Sequence, residues 1–152
     1  MRAVLQRVTH ARVSVAGDLV GAIEHGLLVY LGVASGDTTA EVEWAACKIA
    51  ELRLFPSDNA EAARSMERSV IEAGGAVLLI SQFTLLADTR KGRRPSFFEA
   101  AAPDLAAPLF AAVASALRER GVEVATGRFG AHMRVECEND GPVTIILDSA
   151  SG

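Results

Sequence analysis

The sequence predicts an α+β fold: one domain over residues 1–152, with a curved mixed or antiparallel, barrel-like β-sheet and two main helices packed on one side. Two observations predict it. Short β-branched runs bounded by glycine turns dominate, and only two stretches carry apolar residues at helical spacing over any length. The early runs are joined by tight turns and the later ones by helix-length segments. That order suits hairpins followed by helix crossovers.

Ala3 to Val8 and Arg12 to Val15 read as two short strands, with His10 in a turn between them. Gly17-Asp18 turns the chain into a strand over 19–23. His25-Gly26 turns it into Leu27 to Val33, which is apolar on both faces and so a central strand. Gly36-Asp37 breaks that pattern. Thr38 and Glu41 have capping-box spacing for a helix to about Leu52, with Val42, Ala45, Ala46, Ile49 and Leu52 inward. A polar excursion from Pro56 to about Ser69 is expected to be the least ordered segment. Gly74-Gly75 leads into a strand expected to run from Ala76 to Leu86. Pro103 suits the first turn of a second long helix, on which Leu105, Leu109, Val113 and Leu117 share one face. Pro108 is expected to distort its early turns and Gly121 to cap its end. Three strands follow: Val122 to Ala125, His132 to Glu138 and Val143 to Asp148.

Composition narrows the function. Half of the residues are apolar, enough for a real core. No apolar run approaches the roughly 20 residues of a membrane span. Met1 to Arg12 alternates charged and apolar groups, unlike a signal or transit peptide. Cys47 and Cys137 are isolated, with no partner at ligand or redox spacing, and each reads as a buried reduced thiol. These features point to the cytoplasm and away from the membrane. A net charge of −4 argues against a protein that coats a duplex. The cations are uneven, however: Arg90, Lys91, Arg93 and Arg94 cluster around Gly92. Such a run is either a solvated loop or a local phosphate grip beside a pocket.

Two segments are odd for ordinary core. Ser81-Gln82-Phe83-Thr84-Leu85 continues the apolar run Ala76 to Ile80, so hydroxyl and amide groups appear where a buried strand emerges. In Asn139-Asp140-Gly141-Pro142-Val143-Thr144, a Gly-Pro bond with little steric bias sits before a strand, and its cis isomer is a real option. A cis bond would turn neighbouring carbonyls to one side as a paired acceptor. Asp140 reads as a turn-shaping residue. The search for a conventional catalyst mostly fails, since His10, His25 and His132 have no nucleophile motif or metal-ligand spacing beside them. Hydroxyls, amides and backbone remain. On a regular strand Ser81 and Phe83 share a face and Thr84 lies opposite. If the strand ends or bulges near Gln82, the N–H groups of Phe83 and Thr84 are freed to face a substrate carbonyl. Ordinary strand hydroxyls at Ser81 and Thr84, and core packing at Phe83, are the plainer alternatives.

At these two segments the chain resembles the D-aminoacyl-tRNA deacylases, which remove D-amino acids from tRNA. The resemblance extends to Met1-Arg2-Ala3-Val4-Leu5-Gln6-Arg7-Val8, to Ala87 through Phe97, and to Thr126 through Met133, in the family's order. It implies a homodimer whose active site lies at the subunit interface. Ser81, Gln82, Phe83 and Thr84 would line the pocket, with Thr84 mainly positioning. Gly141-Pro142, with a cis bond, would reach in from the other subunit, hold the substrate's α-amino group and exclude an L side chain. Glycyl-tRNA would then also be a substrate. The resemblance further implies that Arg7 orients the Gly-Pro element and that Phe129 and Met133 wall the adenosine pocket. Both have plainer readings, Arg7 as a strand-edge charge and the other two as core. The partner implied is the aminoacylated 3′ end of tRNA, gripped near Arg90, Lys91, Arg93 and Arg94. No metal or cofactor is implied, and the terminal adenosine's 2′-hydroxyl would assist cleavage.

Two departures stand out. Arg64-Ser65-Met66-Glu67-Arg68-Ser69 replaces the family's Gly-Lys-Met-Asn-like stretch, and Pro56 to Ala63 is longer and richer in alanine than expected. Two further functions compete with the deacylase: a tRNA-binding or editing-associated module without turnover, and a small hydrolase of D-amino acid esters.

Overall fold

In the computed structural model, which describes residues 1–57 and 65–150, one strand organises the sheet. β1 (Arg2–Val15) is a continuous strand of 14 residues where the sequence suggests two. Its partners explain why. β6 (Arg134–Asp148) runs antiparallel along one edge of it, from Arg2↔Asp148 to Ser14↔Arg134. The other edge takes β3 (Gly26–Gly32) over residues 2–8 and β2 (Asp18–Ile23) over residues 11–15. The polar pair Thr9-His10 is a bulge, not a turn. Val8 pairs with Asn139 and His10 with Glu138, which leaves Thr9 as the extra residue.

The remaining strands, β4 (Ala76–Ser81) and β5 (Glu123–Thr126), join in parallel, giving the order β2-β1-β3-β4-β5 with β6 on β1. The sheet is mixed and nearly closed, because β2 curls back over β5. A Cβ added to Gly21 would lie 2.6 Å from the Thr126 carbonyl oxygen. The parallel pairs require crossovers. α1 (Thr39–Glu51) supplies the first and α2 (Pro103–Glu119) the second.

Local chemistry sets the helix ends. Thr38 and Glu41 form the reciprocal capping box that their spacing suggests. Gly121 has φ +84°, and Val122 N–H donates to the Leu117 carbonyl while Gly121 N–H donates to that of Arg118. That is a Schellman end. The helix runs on through Pro108.

Alternation divides the core in two. Leu27, Val29 and Leu31 of β3, with Val77 and Leu79 of β4, face the helices and meet Val42, Ile49, Val113 and Leu117. Leu28, Leu78 and Ile80 face the barrel interior with Val8, Val13 and Ile23. β3 and β4 are therefore apolar on both faces because both faces are covered. Two expectations need correction. Leu105 is 40% exposed, and Phe110, Ala114 and Ala116 join Val113 and Leu117 on the buried stripe of α2. Cys137 is exposed and Cys47 half-buried, so neither is a core thiol. Of the excursion over 56–69, residues 58–64 lie outside the described residues, Arg64 among them. Beyond them Arg68 bridges back to Phe55.

The two faces of α2 give a direct test. Leu117→Ala empties fully buried volume and should lower unfolding free energy by about 2–5 kcal/mol. Leu105→Ala should cost under about 1 kcal/mol. Urea midpoints followed by circular dichroism measure both.

Candidate active site

β4 does not reach Leu86. It ends at Ser81, and Phe83–Leu86 form a single 3₁₀ turn preceded by Gln82. The last sheet bond runs from Gln82 N–H to the Leu31 carbonyl, at 2.9 Å. Leu85 N–H then donates back to the Gln82 carbonyl. The leading N–H groups of such a turn, here those of Phe83 and Thr84, have no acceptor within it. The break at Gln82 thus has the form that frees those donors, and strand alternation no longer governs Phe83 and Thr84. The Gln82 side-chain amide donates to Thr84 Oγ1 and braces the exposed turn.

The turn sits between two hollows. A cavity of about 370 Å³ is almost wholly apolar, lined by Leu31, Val33, Ser81, Phe83, Phe97 and Phe129 among others. A second, about 260 Å³ and more polar, has Ser81, Gln82 and Phe83 on one side and Gly130, His132 and Met133 on the other. Phe129 and Met133 therefore line neighbouring cavities and not one. Phe129 also packs on Phe110, with ring centroids 6.0 Å apart. Met133 lies over Gly127, where an added Cβ would come within 2.5 Å of its sulfur. Among the described residues no hydrogen bond joins Ser81 to His132, so the shared cavity contains no serine–histidine pair.

The turn also carries the basic loop. Asp88 and Ser96 pair as an isolated bridge, and residues 89–95 loop out between them. Phe97 then returns to meet Phe83 edge-on, with centroids 5.1 Å apart. Arg90 is committed within the loop. Its guanidinium and backbone N–H donate to Asp88 and hold that carboxyl down at about 2. Lys91, Arg93 and Arg94 remain exposed.

Gly141-Pro142 forms a separate group on the β1–β6 pair. Gln6 pairs with Thr144 and Val8 with Asn139, so Arg7 alone faces the four residues Asp140 to Val143. The Gly141–Pro142 bond is cis, and both residues are exposed. Gly141 has φ +121°, and an added Cβ would come within 2.8 Å of Val143 Cγ2 and 3.2 Å of Arg7 Nη2. Only glycine fits there without strain. Arg7 is 8% exposed, not a strand-edge charge. Its Nη1 donates to the Leu54 carbonyl at 2.8 Å, and its Nε lies 2.9 Å from Asp140 Oδ2. That second contact is an ion pair whose angle does not make a hydrogen bond. Asp140 therefore balances a buried charge in addition to shaping the loop. Asn139 Nδ2 donates to the Val143 carbonyl across the loop, at 3.1 Å.

Sequence reasoning missed the residues that seat the turn. Gly32 at the end of β3 lets it pack close: an added Cβ would meet Leu86 at 2.7 Å and the Gln82 carbonyl oxygen at 2.9 Å. Arg2 reaches it from β1, donating through Nη1 to the Leu85 carbonyl at 2.8 Å. A glycine closing an apolar strand was the available signal for the first. Arg2 had none, because its partners are distant in the chain.

The chain is similar to known proteins along nearly its whole length. The family model for D-Tyr-tRNA(Tyr) deacylase matches residues 4–148. A D-aminoacyl-tRNA deacylase of Chloroflexus aurantiacus is 57% identical over 150 residues, covering 99% of this chain and 91% of the relative. One from Thermus aquaticus is 53% identical, covering 99% and 96%. A solved structure described as a c-Myc DNA unwinding element binding protein superposes with a TM-score of 0.91 at 38% identity, covering 98% of this chain and 99% of the other. A probable eukaryotic D-amino acid tRNA deacylase, 21% identical with a TM-score of 0.83 over 96% and 97% of the two chains, shares the fold. Matched along nearly its whole length, this chain belongs to the D-aminoacyl-tRNA deacylase family.

Proposed function

We propose that this protein hydrolyses the ester bond of D-aminoacyl-tRNA, and of mischarged glycyl-tRNA, releasing free amino acid and tRNA in the cytoplasm. The observation that carries the reading is the end of β4, where the Phe83 and Thr84 N–H groups lead a turn set between two cavities. An aminoacyl ester is already activated, so positioning and oxyanion stabilisation supply much of what cleavage needs. The carbonyl oxygen accepts from these N–H groups. Water adds to the carbonyl carbon, the bond to the ribose 3′-oxygen breaks, and that oxygen leaves with a proton relayed through the neighbouring 2′-hydroxyl. The water's remaining proton goes to solvent. The adenine stacks in the apolar cavity against Phe129, and Thr84 positions the ester.

Chirality is read by the Gly141-Pro142 loop of a second copy of the chain. Arg2 touches the turn, whereas Arg7 lies five residues further along β1, about 17 Å away at strand rise. The protomer's own loop is therefore poorly placed to serve its own turn, and its exposure suits projection into a partner. Its backbone carbonyls hold the α-ammonium and fill the space an L side chain needs. Glycine has no side chain to reject. Lys91, Arg93 and Arg94 grip phosphates, while the overall negative charge discourages wider nucleic-acid binding.

Three measurements test this. The protein should cleave D-tyrosyl-tRNA at least about 100-fold faster than L-tyrosyl-tRNA and act little on a D-tyrosine alkyl ester. Equal rates on the two tRNAs would remove the chiral reading, fast cleavage of the alkyl ester would favour the small-ester hydrolase, and no cleavage of any would leave a binding module. Gly141→Ala should reduce kcat/KM on D-tyrosyl-tRNA by about 10–100-fold through displacement of the loop. Arg93→Ala with Arg94→Ala should raise KM several-fold and flatten its dependence on log salt by up to about two units. An unchanged salt slope would remove these arginines from the interface.

A further inference from the structure

We propose that Arg2, outside both signature segments, is a positioning residue for the reaction, aiming the Phe83 and Thr84 N–H groups by holding the far end of their turn. The inference rests on the deacylase reading above and adds a residue to it.

The turn has few attachments. Its leading end is tied to β3 by the bond from Gln82 N–H to the Leu31 carbonyl. Its trailing end is tied to the sheet by one charge-assisted bond, from Arg2 Nη1 to the Leu85 carbonyl at 2.8 Å. Leu86 is buried beneath it, but apolar packing is nondirectional and does not set the turn's rotation. A carbonyl–guanidinium bond does. Leu85 N–H donates to the Gln82 carbonyl and Ala87 N–H to that of Thr84, which closes the turn as one unit, so rotating it about its axis moves the Leu85 carbonyl and the leading N–H groups together.

Arg2 is itself built into place. Its backbone lies between Gly32 of β3 and Asp148 of β6. Nε and Nη2 both donate to Asp148 Oδ2, at 2.9 and 2.6 Å, which leaves Nη1 pointing at the turn. Burial pushes the Asp148 carboxyl up, but its bonds from Arg2 and the Ala150 N–H outweigh this and keep it ionised. A planar fork is needed: one face meets a carboxylate while the remaining nitrogen reaches a carbonyl on another element. Lysine can satisfy one partner at a time. Gly32 completes the arrangement, because any side chain there would push the turn away from Arg2.

The test measures kcat and KM on D-tyrosyl-tRNA for the wild-type chain and for Arg2→Gln, Arg2→Lys and Asp148→Asn. Amide hydrogen exchange and thermal unfolding are followed on the same samples. Arg2→Gln should lower kcat by about 10–100-fold, as expected for misaimed oxyanion donors, and leave KM within about twofold. Exchange should rise at Leu85 to Ala87 and stay unchanged in α1 and α2. Arg2→Lys should recover part of kcat. Asp148→Asn, which leaves the bond to Leu85 intact but loosens the fork, should fall between Arg2→Lys and wild type, and it carries the test if Arg2→Gln does not fold. An active wild type with kcat unchanged in Arg2→Gln, or reduced only in proportion to unfolded protein, overturns the proposal alone. A wild type inactive on D-tyrosyl-tRNA overturns the deacylase reading as well.

Discussion

Backbone pairing along β1 is the constraint on which the rest depends. Its 14 residues are bonded on one edge to β6 and on the other to β3 and β2. Because the ladder is continuous, a bulge at one point has a defined distance from a contact at another. Arg7 marks the position where β6 swells into the Gly-Pro loop, and Arg2 the position where the sheet meets the Phe83–Leu86 turn. Two features with no local connection are spaced by the rise of one strand. Both positions fall in the stretch of β1 that pairs with β3 over residues 2–8, ahead of the Thr9-His10 bulge.

In the function proposed above, the site chemistry belongs mainly to the backbone. Donors are freed where β4 gives way to a tight turn, and carbonyls are presented where Gly141 takes a conformation closed to other residues. Side chains mostly hold these groups in place: Gln82 braces Thr84, Arg7 ties the loop to Leu54 and Asp140, and glycines at 32 and 127 let neighbours approach. Such a site carries few titrating groups. The absence of a histidine–nucleophile motif in the sequence is therefore what this chemistry would produce.

Electrostatics follow the same local logic. The chain is acidic overall, yet it displays Lys91, Arg93 and Arg94 on a loop rooted beside the turn. Arg90 looks equivalent to them in sequence but is spent on Asp88, two residues away. The usable charge is smaller than a residue count suggests. Through Phe97 against Phe83, the loop's return is packed directly on the turn.

Local rules and periodicity were enough to read the capping box at Thr38, the Schellman end at Gly121, the doubly buried β3 and β4, and the two helices. Each depends on residues within a few positions of one another. Periodicity misplaced Leu105 because α2 begins before it meets the core, and it extended β4 to Leu86 because an apolar run does not record where its hydrogen-bond partner stops. Two long strands were each read as two, since a bulge and a turn have the same polar signature until a partner strand is present. By itself the sequence marked Ser81 to Leu85 and Asn139 to Thr144 as odd for ordinary core and raised the cis isomer at Gly141-Pro142, which the structure has. Tertiary structure alone decided that Arg2 meets Leu85, that Arg7 is buried against Leu54, and that Phe129 and Met133 line separate cavities. The two arginine contacts join residues 83 and 47 positions apart in the chain, and only the assembled fold brings them within bonding distance.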